Sequence, residues 1–518
     1  MAAHLAIGRL VFALTLGVLA WAGSADARPG AGSVDRSFGG DGRVVLNLPG
    51  ERMSPTAMAV QPDGKIVVAG SLSEGRVLAL RFHRDGTLDQ TFGAGGIVRA
   101  TLSYQVGVRA LAVQPDGGLL LAGAAVIAPG RADGAVLRLL PDGRVDAGFG
   151  ENGLTRIDPG DLDFGSESTT LTHLAMQADG RIVAAGYQES FRPHDRAYTI
   201  VARLLPDGRL DETFDGDGVG FHSVDFPGAI VIHPDGHVLV LGWSEGGIDD
   251  FPLYAIRFSA GPSAMPSAQA NPDGDWRLYD FKVPVTAAGA GVASDETVVV
   301  AAQLSGPRRF GWLRIGPDLR ELDRGTARGE GVQAVAFDAR GALITAGKPP
   351  LPSGAPPVGL ERWRGLRLSH DRSFGRAGTA FVSVMDPAVV IGTAVHRDKV
   401  LLAATTDFWG PPDHPLTLVR LHAHQDGSGP IATVRGLPRR RCVDGVVRPL
   451  VRVRDESAVR VELRVDRRVL ARSRRHRIRV PLNTSRLRPG PHKLIVTARD
   501  AAGNLGRSGT TFVVCGRG

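Results

Sequence analysis

Gly242-Trp243-Ser244-Glu245-Gly246 has the G-x-S-x-G spacing that exposes a nucleophilic serine on a turn between a strand and a helix. Here GIDDFPLYAIRF follows, which reads as a loop and a strand. The segment also aligns with Gly70 to Gly75, so it reads as a repeat turn rather than a nucleophile. The Asp-Gly segments Asp41-Gly42, Asp215 to Gly218 and Asn271 to Asp275 could offer oxygens to Ca²⁺. No Glu stands at the spacing of an EF-hand loop, and turns use Asp and Gly for backbone reasons alone. The 14 histidines do not cluster at ligand spacing, and His194, His414, His422 and His424 read as surface or loop residues. No H-E-x-x-H, C-x-x-C, P-loop or dinucleotide fingerprint occurs, so neither metal nor cofactor is expected. One run does carry concentrated charge: Arg467, Arg468, Arg472, Arg474, Arg475, Arg477 and Arg479, placed at an expected hairpin. Guanidinium forks at that density could hold an anionic polymer. The same run could equally be the polar outer face of a sandwich, since the chain has 56 arginines and only 5 lysines.

What positions these residues is a repeat. AMAVQPDGKIVVAG (Ala57 to Gly70) returns as ALAVQPDGGLLLAG (Ala110 to Gly123), HLAMQADGRIVAAG (His173 to Gly186) and AIVIHPDGHVLVLG (Ala229 to Gly242). Weaker copies begin at Gly291, Ala334 and Gly392, which makes seven. Each copy is two apolar runs around a Pro-Asp-Gly turn, the signature of a β-hairpin. A third strand follows, as in Val77 to His83, then a second turn such as Arg84-Asp85-Gly86, then LDQTFGAGG and a fourth strand. Four short antiparallel strands per repeat make a propeller blade. The turn position recurs at Asp63, Asp116, Asp179, Asp235, Asp295, Arg340 and Asp398, with uneven steps that place insertions in loops. The fifth unit lacks the TFG-like segment, and its outer strand reads as degenerate. The seventh lacks a fourth strand, while the chain begins with a spare one. Residues Val44 to Leu48 are therefore expected to complete the last blade and close the ring, removing an open edge. Phe38, Phe92, Phe149, Phe214 and Phe374 recur at one repeat position and read as wedges between blades.

LDQTFGAGG, AVQPDGKIVVAG and LRFHRDGTLD resemble the delta-60 repeat family of secreted bacterial proteins, over Val34 to about Gly375. That resemblance implies a β-propeller and export, and it implies no catalytic residues.

Residues 1–27 read as a signal peptide: a weakly basic start, an apolar stretch from Leu10 to Ala22, and an A-x-A site at Ala25-Asp26-Ala27. The apolar stretch is too short for a membrane span of about 20 residues. The propeller is expected over 28–429, an arginine-rich linker over 430–441, and a β-sandwich over 442–518. In the sandwich apolar residues alternate with arginines, and ARDAAGNLG (Ala498 to Gly506) resembles a hairpin of bacterial immunoglobulin-like domains. Cys442 and Cys515 are the only cysteines, so in an exported chain they are expected to form a disulfide joining the first strand of that domain to its last. From Arg435 onward 22 basic residues face 6 acidic ones, whereas the preceding part of the chain is net acidic.

The short turns fall on one face of the ring and the variable connections on the other, where binding usually lives. The expected ligand site is therefore Tyr187, Arg192, His194, Trp243, Asp250, Trp409 and His414 around the channel mouth. The expected function is that of a secreted, non-catalytic binding or cell-surface protein. A protein or glycan is its ligand, with an anionic cell-wall polymer as a contact of the basic domain, and no nucleic acid or membrane span is expected. The alternative is a propeller enzyme, a polysaccharide lyase or hydrolase, which would need paired carboxylates or a His-Tyr-Arg set on converging inner strands. A third reading makes the propeller a spacer for the basic domain.

Overall fold

A computed structural model describes residues 31–516 apart from segments 161–166, 191–196, 223–225, 235, 244–251, 259–275, 280–284, 293–295, 305–308, 317, 329–331, 339–341, 348–357, 365–367, 376–377, 385–387, 407–414, 424–430, 438–441, 455–459, 467, 476 and 500–504. The leader expected over residues 1–27 lies outside the described residues. Residues 29–426 form one compact unit, and residues 427–518 belong to another.

The first unit is a seven-bladed β-propeller. Blade 1 runs Met53–Val60, Ile66–Leu72, Val77–Phe82 and Ile97–Ala100, each strand antiparallel to the next. Blades 2 to 5 repeat this order, with innermost strands at Gln105–Val113, Glu167–Met176, Phe226–Ile232 and Val285–Val292. Blade 6 starts at Ala334–Phe337; its third strand, Val358–Arg364, is flanked in two pieces by Ser369–His370 and Thr379–Val382. Each innermost strand packs on those of the blades before and after it, and the seventh packs on the first. The second strand is buried on both faces, as its continuous apolar run requires; Ile66 to Gly70 are all buried.

The ring closes as expected. Arg43–Leu46 pairs with Leu416–His422, Val44 facing Leu418, and becomes the outer strand of blade 7. The strand ends two residues earlier than the sequence suggests, although Leu48 is still buried in the adjoining core. The fifth blade corrects the sequence reading. Its outer strand, Glu321–Arg328, is eight residues long and is not degenerate. It follows the third strand, Arg309–Ile315, through a tight turn in which Gly316 N donates to Arg320 O.

One irregularity explains the glycine that ends the repeated motif. In blades 1 to 4 the innermost strand carries a β-bulge, the extra residues being Thr56, Arg109, Thr172 and Gly228. The bulge drives a carbonyl against the second strand at Gly70, Gly123, Gly186 and Gly242. A Cβ at Gly70 would overlap Ser54 O, and one at Gly186 would overlap Thr170 O. Blades 5 and 7 carry the same bulge against Ala302 and Ala404, so glycine gives the four earlier blades the closest approach rather than making the bulge possible.

The second unit is a β-sandwich. A three-stranded sheet orders Ile431–Arg435, Leu450–Arg454, Arg477–Arg479. A four-stranded sheet orders Arg468–Ser473, Arg460–Val465, Gly490–Arg499, Leu505–Val514. Ala432, Val451 and Val453 of the first meet Val461, Leu463, Val496 and Ala498 of the second in one core. The sandwich therefore begins before 442: Ile431–Arg435, expected as linker, is a strand because Ala432 and Val434 have core to fill. Cys442 and Cys515 are disulfide-bonded. Cys442 lies after the first strand rather than on it, and the backbone N–H of Val443 beside it donates to Val513 O. The bond clamps that connection to the end of the last strand.

Candidate functional site

On the turn face the blades are locked by a clasp that sequence reasoning missed. The third strand of blade 1 carries Arg81, and eight residues on, Asp89 starts the segment Asp89-Gln90-Thr91-Phe92. Arg81 Nε donates to Asp89 Oδ2 at 2.8 Å, and its guanidinium lies 4.3 Å from the centre of the Phe92 ring. Its Nη1 reaches Pro141 O, in the turn of blade 2, at 2.5 Å. The set recurs as Arg138, Asp146, Phe149 and as Arg203, Asp211, Phe214. It recurs again as Arg362, Asp371, Phe374 and, at ring closure, as Arg420, Asp35, Phe38. The five phenylalanines are all buried, as expected of wedges. Burial alone would raise the Asp89 carboxyl; the Thr91 hydroxyl, Lys65 and Arg81 outweigh it and hold it far below the ordinary carboxylate range. Nearer the axis Gln61 Nε2 donates to Gly117 O at 3.1 Å, and Gln177 does the same to Gly236 O. Arginine and aspartate eight residues apart, repeated, was the available signal. This face is structural.

The other face carries the variable connections. Tyr187 and Trp243 each follow the bulge-matched glycine, a position that also reaches the next blade elsewhere in the ring. Ser71 there donates to Val106 O and accepts from Val108 N, and Gln303 accepts from Val332 N at 2.7 Å. Tyr187 meets Phe226 of blade 4 edge-on, ring centres 5.1 Å apart. Phe226 in turn stacks on Trp243 at 5.9 Å. The structure thus joins two predicted residues through a third that was missed. Its signal was an aromatic in a slot filled by Ser54, Gly107 and Thr170 in the earlier repeats. All three rings are half-buried.

Polar groups surround the tyrosine end. Burial raises the Tyr187 hydroxyl pKa, Glu189 raises it further, and Arg109 and the neighbouring Thr170 oppose them. Arg109 is exposed because the bulge turns it out of the strand, and Glu189 is exposed two residues beyond Tyr187. An aromatic run flanked by a cation, an anion and hydroxyls can stack on a ring and hydrogen-bond its substituents. His173 Nδ1 lies 2.9 Å from the hydroxyl of the bulge residue Thr172, and burial lowers its pKa to about 4, so it is neutral at pH 7.

Arg192, His194, Asp250, Trp409 and His414 lie outside the described residues, as does Ser244 of the G-x-S-x-G segment. That segment follows a strand and precedes another, Leu253–Phe258. Among the described residues no group of three or more His, Cys, Asp or Glu could hold a metal ion. Asp41 and Asp217 each accept from the backbone N–H two residues on. His422, read as a surface residue, is buried on the third strand of blade 7, and its Nδ1 lies 2.9 Å from Lys399 Nζ.

The arginine run of the sandwich is not one hairpin. Arg467 lies outside the described residues. Arg468 and Arg472 belong to the edge strand of the four-stranded sheet, and Arg477 and Arg479 to the edge strand of the other. Arg474 and Arg475 lie on the crossover between the sheets.

Residues 61–92, 114–149 and 177–214 match the family described as domain of unknown function (DUF5122) beta-propeller. Each match runs from the residue before the hairpin turn to the clasp phenylalanine. A search of curated protein sequences finds no match. Among solved structures, a catalytically inactive virginiamycin B lyase from Staphylococcus aureus, with quinupristin, is 12% identical, with 73% of this chain and 98% of that chain covered and a TM-score of 0.41. The polysaccharide lyase Uly1 is 10% identical over 71% and 90%, TM-score 0.43. Aleuria aurantia lectin, in complex with alpha-methyl-L-fucoside, is 9% identical over 66% and 99%, TM-score 0.31. The chain is thus a seven-bladed β-propeller followed by a β-sandwich, and its first three blades carry repeats similar to the DUF5122 propeller family.

Proposed function

We propose that this is an exported, non-catalytic binding protein whose propeller holds a glycan on its variable face, with the basic sandwich attaching it to an anionic polymer at the cell surface. The observation that carries the first half is the Tyr187, Phe226, Trp243 run beside Arg109, Glu189 and Thr170. Half-buried rings present flat apolar area without further ordering. The charged and hydroxyl groups at one end supply the directional bonds that fix a polyhydroxylated ring. The enzyme alternative needs converging carboxylates on inner strands. The seven innermost strands contain one acid, Glu167, at the outer end of its strand.

The test is a glycan array followed by tryptophan-fluorescence titration of each hit. Replacing the exposed Arg109→Ala and Glu189→Gln together should weaken binding about tenfold, a loss of about 1.4 kcal/mol, with an unchanged melting temperature. Undiminished binding by that variant and by Trp243→Ala would remove the site.

A further inference from the structure

The two outer faces of the sandwich treat their arginines differently. On the four-stranded sheet Val461, Leu463 and Val465 point inward, and Arg460, Glu462 and Arg464 outward. Glu462 accepts from Arg464 Nε at 2.6 Å and from Arg472 Nε at 2.8 Å. Asp466, in the turn after that strand, pairs with His492, which stacks on the buried Phe512 on the core side. Arg464 and Arg472 thus share one carboxylate, while Arg460 stands opposite Arg499 on the neighbouring strand.

The three-stranded sheet has the opposite arrangement. Ala432, Val451, Val453 and Ile478 face the core. Register then sets the outward side chains in two rows across the strands: Thr433, Arg452, Arg477, and beside it Arg435, Leu450, Arg479. All four arginines are exposed, and among the described residues none of them pairs with a carboxylate. Arg452 and Arg477 stand directly opposite on adjacent strands, about 5 Å apart at the backbone. Like charges so placed destabilise a sheet. An arginine-rich genome accounts for the number of arginines on both faces, but not for the place of the one acid in the described strands of the two sheets, Glu462, which stands on the four-stranded sheet.

The chemistry that relieves such a face can be specified. A carboxylate has two coplanar oxygens, and a single guanidinium fork takes both. A phosphate spreads its oxygens tetrahedrally, so forks from two neighbouring strands can share one group. Arg477 and Arg479, two residues apart, repeat the site roughly 7 Å along the strand. We propose that this face, Arg435, Arg452, Arg477 and Arg479 around Leu450, is the docking site for a linear phosphate-bearing polymer. The proposal rests on the attachment reading above and narrows it to one sheet face and one anion. Of the arginine run singled out in the sequence, only the last two members take part, and Arg435 and Arg452 come from elsewhere in the chain.

The experiment is calorimetric titration of the purified full chain with sodium polyphosphate, with polygalacturonate as a carboxylate polymer, and with phosphatidylglycerol vesicles. Arg452→Gln with Arg477→Gln is compared with Arg460→Gln plus Arg507→Gln on the opposite sheet, an equal change of net charge. Polyphosphate is expected to bind, to be weakened by salt, and to lose about tenfold or more in affinity with the first variant but less than about twofold with the second. Equal losses in the two variants would reduce the effect to net charge and overturn the docking site. Polygalacturonate binding more tightly than polyphosphate, with the same variant dependence, would overturn the phosphate and leave attachment standing. Binding to vesicles alone overturns the polymer. No binding to any of the three overturns both readings.

Discussion

Blades 1 to 3 and blades 4 and 5 solve one problem, holding a blade to its neighbour, by different physics. In blades 1 and 2 an arginine bridges its own blade's Asp and Phe to the next blade's turn, and in blade 3 Arg203 holds Asp211 and Phe214 in the same way. In blades 4 and 5, Arg257 and Arg314 keep the equivalent place on the third strand, but no aspartate stands eight residues on from either. Arg314 donates to Thr297 Oγ1 at 2.9 Å. The blade contacts become aromatic: the Tyr279 hydroxyl of blade 4 donates to Leu319 O in the turn of blade 5, and Phe310 of blade 5 packs on Trp363 of blade 6 at 5.0 Å. The fold needs the contact, not the charge. The family match follows the charged version, ending at Phe92, Phe149 and Phe214.

The comparison can be broken most directly at Asp89. Asp89→Ala leaves the buried Arg81 without its partner and should destabilise the propeller by about 3–5 kcal/mol in chemical denaturation. Acid probes the same contrast without mutation. Burial alone would raise the carboxyls of Asp35, Asp89, Asp211 and Asp371, but their arginine and hydroxyl partners outweigh it, so all four have folded pKa values below the unfolded one. Their contribution is complete above the unfolded carboxylate pKa of about 4 and drains away as pH falls from there toward the folded values. The melting temperature of wild type should therefore begin to fall near about pH 5 and fall steeply below about pH 4. Asp89→Asn should flatten the fall; an unchanged slope would show that the clasp carboxylates do not govern acid stability.

Tyr279→Phe sharpens the comparison from the other side. It leaves Leu319 O unsatisfied and should destabilise by about 1–2 kcal/mol, with no new pH dependence. A loss as large as that of Asp89→Ala would make the two kinds of blade contact equivalent. The smallest effect belongs to Gln61→Ala, which removes one partly buried side-chain bond to Gly117 O and should shift stability by about 1 kcal/mol. Hydrogen exchange at Gly117 would report that loss locally even if the global change were too small to resolve.

The repeat was legible because strand alternation and Pro-Asp-Gly turns are local, and each copy restates them. Blade number, ring closure and the buried Phe38, Phe92, Phe149, Phe214 and Phe374 followed from the same periodicity. The bulge was not legible, because a residue inserted into one strand shows only against its partner. Gly70 could be seen to recur, but its reason is Ser54 O on the facing strand. The outer strand of blade 5 was misread because Glu321 to Arg328 lacks apolar alternation; it is an outermost strand with one neighbour in its sheet. Tyr187 and Trp243 were found as large residues near variable loops, whereas Phe226, which joins them, begins the innermost strand of blade 4 and stands in none of those loops. In the sandwich, the arginine run was visible but its division between two sheets was not, since Arg472 and Arg477 are separated by a crossover rather than a turn.

The last pairing of the ring has a consequence in time. Asp35 and Arg420 meet across 385 residues, and the partner strand of Arg43–Leu46 follows the strands of the six other blades in the chain. Loop-closure entropy rises slowly with length, so the equilibrium penalty for so distant a contact is modest. The kinetic demand is larger, because non-local pairings are made late and unpaired edges stay exposed until they are. The earliest described strand of the ring thus waits for one of its latest, and the rate of that docking sets how long blade 7 presents a bare edge to other chains.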